Sequence, residues 1–222
     1  MVGRSMTHDF IDGLAEARLL AIIRGADAAA ALAAGTTLIE AGVRYLEVSL
    51  VTADAADVIR ALVDASAGRA LVGAGTVLTT ADVDIAAAAG ARFIVTPAVS
   101  ESLPASVERG LPVIAGALTP SECVAAMAQG ATAIKLFPAS SGGPDYLSAL
   151  RDPLPRTPFV PVGGVGAETA LEYLRRGALA VGVGSPLLGD AVSGGDLGAL
   201  VTRAERYLAG VASVPRNEGP HV

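Results

Sequence analysis

The sequence predicts an α/β protein, a single-domain (β/α)8 TIM barrel formed by the whole of residues 1–222. Eight short apolar runs alternate with Ala-rich segments that have the period of a helix. The apolar runs are continuous rather than alternating, which indicates strands buried on both faces of a parallel sheet. Eight such units with short connections fit a closed barrel better than an open sheet. Glycines end many helical segments, as is usual at a helix C-terminus: Gly42, Gly68, Gly90, Gly110, Gly130 and Gly177.

The individual elements follow from this alternation in chain order. The apolar runs predict strands over residues 19–24, 45–50, 70–75, 92–96, 112–117, 133–137, 159–162 and 179–182. The segments of helical period predict helices over residues 28–41, 53–66, 80–89, 100–109, 120–129, 145–150, 167–176 and 197–209. The two ends, residues 1–8 and about 212–222, are rich in Gly, Pro and Ser and are expected to be loose.

Composition excludes several classes of protein. A hydrophobic content of 52% can build a large core, and a net charge of −6 argues against binding to nucleic acid or to an anionic membrane. No apolar run reaches the 18 residues that a membrane span needs. Cys123 is the only cysteine, and the two histidines, His8 and His221, lie near the ends. The sequence therefore predicts no metal and no cofactor, and in the absence of a signal peptide it predicts a cytoplasmic location.

Lys135 is the strongest candidate for a catalytic residue, because it is the only lysine among 16 basic residues and it interrupts an apolar strand. Chemistry in these barrels lies at the carboxyl ends of the strands. Arginine stands at every other basic position, and arginine has no amine that can lose its proton. A desolvated lysine amine can attack a carbonyl to form a Schiff base. The alternatives are a strand-edge lysine that points into solvent and a lysine in a structural salt bridge.

Glu47 is the candidate general acid/base, because it lies between Leu46 and Val48 inside the second apolar run. Its side chain is expected to face a buried region or the mouth of the barrel. We expect it to act near Lys135 as the partner of that lysine. Since the interior of the chain has no histidine, a carboxylate would have to relay protons for carbinolamine dehydration and carbon–carbon cleavage. The alternative is a structural ion pair between Glu47 and Arg24, which ends the neighbouring first strand.

Two glycine-containing strand ends are candidates for a phosphate site. Gly163 and Gly164 follow the seventh strand, and Gly184 and Ser185 follow the eighth. Backbone N–H groups at these two ends form the phosphate site of many barrels with this fold. The alternative is that the glycines only permit tight strand-to-helix turns, since the chain has 26 of them.

Further residues near the strand ends are candidates for a substrate pocket. Thr76 and Pro97 follow the third and fourth strands and could contact a carboxylate, although both residue types are also typical of turns. Phe137 lies two residues after Lys135 and could cover a substrate, or it could serve packing. Cys123 lies in a helical segment and is expected in the core rather than as a nucleophile.

Five of these segments together resemble the 2-keto-3-deoxy-6-phosphogluconate (KDPG) / 4-hydroxy-2-oxoglutarate (KHG) aldolase family. They are LEVSL at 46–50, VGAGTVL at 72–78, FIVTP at 93–97, IKLFPA at 134–139 and PVGGV at 161–165. The similarity extends over about residues 17–190. It implies a class I pyruvate aldolase, a lyase that cleaves a phosphorylated 2-keto-3-deoxy sugar acid to pyruvate and glyceraldehyde 3-phosphate. It also implies a homotrimer, with a small-molecule substrate as its other partner.

The resemblance also assigns roles to the candidate residues. It implies that Lys135 is the Schiff-base lysine and that Glu47 is the acid/base. It places Thr76 and Pro97 against the pyruvate part of the substrate, with Phe137 beside it. It assigns the phosphate to the two glycine-containing strand ends: Gly163, Gly164, Gly184 and Ser185.

Two positions depart from the gluconate-type members of the family. Many of these have an arginine four residues after the glutamate, where this chain has Val51, and Arg24 on the first strand is the replacement cation that we expect. They often have threonine before the glycine pair, where this chain has Val162. Three segments look closer to the branch that acts on the C4 epimer, 2-keto-3-deoxy-6-phosphogalactonate: IRG at 23–25, GPDY at 143–146 and VGG at 162–164.

Three alternatives to this aldolase remain open from the sequence. The substrate could be unphosphorylated 4-hydroxy-2-oxoglutarate. The protein could be another phosphate-binding barrel lyase, isomerase or synthase in which Lys135 clamps a phosphate. It could also bind phosphosugars without catalysis.

Overall fold

The computed structural model describes residues 6–215, which form a barrel of eight parallel strands surrounded by helices. The eight predicted strands are confirmed, with small shifts at their ends; the fourth has only two residues, and the eighth begins two residues later than predicted. The strands are β1 (Leu19–Ile23), β2 (Tyr45–Ser49), β3 (Leu71–Gly75), β4 (Ile94–Val95), β5 (Val113–Ala117), β6 (Ala133–Leu136), β7 (Phe159–Pro161) and β8 (Val181–Val183).

The helices follow the predicted alternation, and two more appear in the described residues. The additional helices are α1, which precedes the first strand, and the short α9, which begins at Ser185. The helices are α1 (Met6–Ala17), α2 (Ala28–Glu40), α3 (Ala55–Ser66), α4 (Thr80–Ala88), α5 (Ser102–Glu108), α6 (Pro120–Ala128), α7 (Gly143–Arg151), α8 (Ala167–Arg175), α9 (Ser185–Leu188) and α10 (Leu197–Ser213). All six glycines predicted at helix ends have positive φ, as a left-handed C-terminal turn requires.

The sheet closes on itself. From β1 to β7 each strand pairs in parallel with the next, and β1 also pairs with β8. Between β7 and β8, the Leu179 amide donates a hydrogen bond of 2.8 Å to the Phe159 carbonyl, and Val162 forms a parallel bridge with Gly182. Closure leaves no free sheet edge and directs every second side chain of each strand into the barrel.

The buried side chains form two clusters that follow this alternation. One lies between the sheet and the helices and includes Leu46 and Val48 of β2. The other fills the barrel and includes Tyr45 of β2 and Ala133 of β6. Cys123 belongs to the outer cluster, as predicted, and burial raises the pKa of its thiol to about 11, which leaves it protonated near neutral pH.

The N-terminal segment corrects the prediction of a loose end over residues 1–8. Residues 6–8 begin α1, whose Phe10 and Leu14 are buried in the cluster inside the barrel. Tyr45 donates a hydrogen bond of 3.3 Å to the Phe10 carbonyl. Helix α1 therefore packs against the barrel interior. Apolar residues at 10, 11 and 14 have helical spacing, the signal that indicates this helix.

The C-terminal segment is likewise more ordered than predicted. Residues 212 and 213 complete α10, and Val214 is buried. The Arg18 guanidinium donates hydrogen bonds to the carbonyls of Val211, Val214 and Pro215. The rest of both predicted loose ends, residues 1–5 and 216–222, lies outside the described residues. None of the helices described between residues 6 and 215 is long and apolar enough to cross a membrane.

Candidate active site

Strand alternation places Glu47 and Lys135 inside the barrel. Tyr45 and Ala133 face the interior, so the residues two positions later on the same strands face it as well. Both charged side chains therefore lie above the apolar filling of the barrel, near the carboxyl ends of β2 and β6, where barrel enzymes place their chemistry.

Lys135 and Glu47 form a buried ion pair. Lys135 Nζ lies 3.9 Å from Glu47 Oε1, and the two side chains are 6% and 1% exposed. The Lys135 ammonium also lies 5.2 Å from the centre of the Phe137 ring. The structure thus excludes a solvent-facing Lys135. The alternative ion pair of Glu47 with Arg24 is not found among the described residues; Lys135 is the partner.

The Glu47 carboxylate is buried without a hydrogen bond. Neither oxygen has a hydrogen-bond partner among the described residues, and the 3.9 Å contact with Lys135 is too long for one. A buried acceptor left unpaired costs about 1–3 kcal/mol, more when it is charged. Such a cost is unusual at a position that serves stability alone and is typical of a catalytic group.

The absence of a side chain at Gly75 makes room for the Glu47 carboxylate. Gly75 ends β3, the strand beside β2, and a Cβ built there would overlap Glu47 Oε1. Any larger residue would therefore displace the carboxylate. The sequence contains this glycine in the segment that resembles the aldolase family, but its role becomes visible only in the packing.

A cavity of about 480 Å³ opens at this end of the barrel. Ten of the eleven predicted site residues line it, and the eleventh, Glu47, lies behind Lys135. The lining residues that the prediction contained are Arg24, Thr76, Pro97, Lys135, Phe137, Val162, Gly163, Gly164, Gly184 and Ser185.

The prediction missed the apolar wall of the cavity. Ile22 of β1, Val165 after β7, and Leu188 and Val192 after β8 also line it. Ile22 could have been found by alternation from Leu20, which faces the barrel interior. Leu188 and Val192 follow β8 without any regular period, so their sequence carries no comparable signal.

The lining of the cavity includes the cation Arg24. Its side chain is exposed, and it has no ion-pair partner within residues 6–215. Val51 is 63% exposed and does not line the cavity. Arg24 is thus a free cation available to an anionic group.

Backbone forms another part of the cavity lining. Gly163 and Gly164 have φ values of 96° and 75°, which glycine adopts without strain. The Gly164 amide donates no hydrogen bond within the described residues. Ser185 begins α9 beside this turn, so amide groups of two neighbouring strand ends border the same space.

Comparisons with known proteins agree with this geometry. A family model for KDPG and KHG aldolase matches residues 11–202. The 2-dehydro-3-deoxy-6-phosphogalactonate aldolase of Escherichia coli (strain K12) is 40% identical over 171 residues, which are 76% of this chain and 83% of that enzyme.

Two solved structures extend the likeness to three dimensions. One, described as native KDPGal, has a TM-score of 0.83 and 34% identity and covers 88% of this chain and 95% of its own. The other is the KDPG aldolase of Legionella pneumophila with pyruvate captured as a covalent carbinolamine; it has a TM-score of 0.78 and 30% identity and covers 88% of this chain and 95% of its own. The chain therefore belongs to the KDPG and KHG aldolase family.

Proposed function

We propose that the protein is a lyase, a class I aldolase that cleaves a 2-keto-3-deoxy-6-phospho sugar acid to pyruvate and glyceraldehyde 3-phosphate. The observation that carries the proposal is the buried pair of Lys135 and Glu47, 3.9 Å apart beside the cavity. The name of the Escherichia coli relative and the covalent pyruvate in the Legionella pneumophila enzyme support it. A carbinolamine is the adduct that precedes a Schiff base when an amine attacks a carbonyl.

In the proposed reaction, Lys135 Nζ adds to the C2 carbonyl of the sugar acid, and loss of water converts the carbinolamine to an imine. Glu47 accepts the proton of the C4 hydroxyl as the C3–C4 bond breaks and the aldehyde forms. The imine is protonated at this stage, so the electrons of that bond pass to the iminium and give a neutral enamine. Protonation at C3 and hydrolysis of the imine then release pyruvate and restore the amine.

The lining of the cavity offers groups for both anionic parts of this substrate. We infer that Arg24 and Thr76 bind the carboxylate of the pyruvate part, with Pro97 and Phe137 packed against it. The amide groups near Gly163, Gly164, Gly184 and Ser185 would bind the phosphate, since backbone donors suit a dianion without a basic cluster. Val162 also lines the cavity, where threonine would offer a hydroxyl to the substrate.

The pairing of Lys135 also separates this proposal from its alternatives. A lysine that clamps phosphate would bring the dianion beside the buried Glu47 carboxylate, which would repel it. A protein that only binds phosphosugars would gain nothing from a buried carboxylate without hydrogen bonds. Unphosphorylated 4-hydroxy-2-oxoglutarate would leave the backbone amides near Gly163, Gly164, Gly184 and Ser185 unused.

A turnover assay with three substrates tests the function. The 6-phospho gluconate and galactonate epimers should both release pyruvate faster than 4-hydroxy-2-oxoglutarate does. The galactonate epimer should match or exceed the gluconate epimer, because Val162 offers no hydroxyl near C4. Failure of all three substrates to release pyruvate would overturn the proposal.

Gly164→Ala should weaken binding of the phosphate. A Cβ at Gly164 would lie 2.8 Å from the Ser140 Cβ, in a backbone conformation with φ of 75°, so the turn must shift. Hydrogen bonds to charged groups contribute about 1.5–3 kcal/mol, so kcat/KM for phosphorylated substrates should fall by about ten- to 100-fold. The change for 4-hydroxy-2-oxoglutarate should be much smaller.

Gly166→Ala is the matched control for this variant. A Cβ at Gly166 meets nothing within 4 Å, and the residue does not line the cavity. Its kinetics should resemble those of the unaltered protein. Equal losses for phosphorylated and unphosphorylated substrates in Gly164→Ala would argue against a phosphate site at this turn.

We also propose that the protein is a homotrimer. Exposed apolar side chains follow one another on the elements between β2 and β6, and a second copy of the chain would bury them. Light scattering should give three times the 22.0 kDa mass of the chain, and a monomer mass would contradict the proposal. The exposed residues are Val51, Leu78, Ile85, Val107 and Val124.

The cytoplasmic location stays a prediction.

A further inference from the structure

We propose that Ser49 is a positioning residue that directs the hydroxyl proton of Thr76 into the cavity, toward the substrate carboxylate. The inference rests on the proposed function, in which Thr76 contacts the pyruvate part. Ser49 ends β2, and its side chain is fully buried and does not line the cavity. Ser49 therefore acts through Thr76 and not by touching the substrate.

Strand pairing brings the two hydroxyl groups together. Ser49 is the register partner of Gly75, and the Leu50 amide donates a hydrogen bond of 2.8 Å to the Gly75 carbonyl. Thr76 follows Gly75 directly, and its Oγ1 lies 2.7 Å from Ser49 Oγ. Thr76 is half-buried and lines the cavity. The hydrogen bond between the two hydroxyl groups therefore links a buried side chain at the end of β2 to a side chain of the site.

The buried position of Ser49 decides which hydroxyl donates. A hydroxyl group has one proton to donate and two lone pairs to accept with. Within the described residues, Thr76 Oγ1 is the only hydrogen-bond partner of Ser49 Oγ. If Thr76 were the donor, the Ser49 proton would be buried without an acceptor, which is costly. Ser49 therefore donates, and the single proton of Thr76 remains free for an acceptor in the cavity.

The backbone of Thr76 indicates that this arrangement serves function. Thr76 has a φ of 60°, a left-handed conformation that is a genuine outlier for a β-branched residue. Such strain persists only where the surroundings hold it, and it is concentrated at functional sites. The hydrogen bond from Ser49 is the only one described for the Thr76 side chain. Without it, the hydroxyl could rotate away from the carboxylate.

The test measures how pyruvate concentration controls borohydride trapping on Lys135. Ser49→Ala should raise the half-saturating pyruvate concentration about two- to tenfold, the usual effect of one neutral hydrogen bond. Thr76→Val should raise it at least as much. The double variant should be no worse than Thr76→Val alone, because Ser49 acts only through the Thr76 hydroxyl.

Ser106→Ala is the matched control. Ser106 is also fully buried, and its hydroxyl donates a hydrogen bond of 2.7 Å to the Ser102 carbonyl, within α5 and away from the cavity. Its pyruvate dependence should equal that of the unaltered protein.

The outcomes separate this inference from the proposed function. If the unaltered protein traps no pyruvate, both fail. If it traps pyruvate but Ser49→Ala does not change the half-saturating concentration, the positioning role alone fails. Additive effects of Ser49→Ala and Thr76→Val in the double variant would also overturn it.

Discussion

Replacing Lys135 with arginine is expected to reduce turnover by about 10⁴- to 10⁶-fold, the range seen when a serine protease loses one member of its catalytic triad. Arginine retains the positive charge beside Glu47, which lies 3.9 Å from the lysine amine. It cannot form an imine, because its guanidinium does not lose its proton in proteins. The loss should therefore appear in kcat, with the barrel still folded and melting near the temperature of the unaltered protein.

The covalent adduct supplies a direct readout for the same variant. Since Lys135 is the only lysine in the chain, pyruvate with borohydride should give one reduced adduct, which peptide mapping assigns to residue 135. Lys135→Arg should give none. Lys135→Met is a second variant that keeps an unbranched side chain, in case arginine does not fit the buried position. An adduct only at the N-terminal amine, or turnover that survives both substitutions, would argue against the imine mechanism.

Glu47→Gln is expected to lower kcat for aldol cleavage by about 10²- to 10⁴-fold, the usual contribution of a general acid/base. Glutamine has the shape of glutamate and fits the space above Gly75, but its amide cannot accept the proton of the C4 hydroxyl. Pyruvate trapping on Lys135 should remain detectable, because the amine is intact. Slow aldol cleavage together with retained pyruvate trapping would show that Glu47 acts in proton transfer and is not needed for imine formation.

Two further variants show whether the position of the carboxylate matters. Gly75→Ala keeps Glu47 but displaces its carboxylate, so kcat should fall there as well. Glu205→Gln replaces an exposed glutamate on α10 and should leave the rate unchanged. An unchanged kcat in Glu47→Gln would assign Glu47 to a structural ion pair with Lys135.

The order of the elements could be predicted from the sequence because it depends on local patterns. Continuous apolar runs, helical periodicity and terminal glycines each involve residues close together in the chain. Lys135 and Glu47 were identified in the same way, as charged residues inside apolar strands. Strand ends were predicted less accurately, as in the two-residue β4, because backbone hydrogen bonds between strands decide where pairing stops. Helix α1 was missed although its apolar spacing was visible.

The contacts within the site depended on the tertiary structure. Sequence reasoning placed Glu47 near Lys135 on functional grounds and kept an ion pair with Arg24, on the neighbouring strand, as the alternative; the structure pairs Glu47 with Lys135, four strands away in the sheet. Closure of the barrel brings β2 and β6 to face each other across its interior. No local pattern in the sequence indicates that these two strands come close. The space at Gly75 and the hydrogen bond between Ser49 and Thr76 likewise arise from the register of β2 against β3. The sequence by itself thus determined the order of the elements and which residues are candidates for the chemistry. The packing of strands distant in the chain decided which of these residues meet, because those contacts form only when the barrel closes.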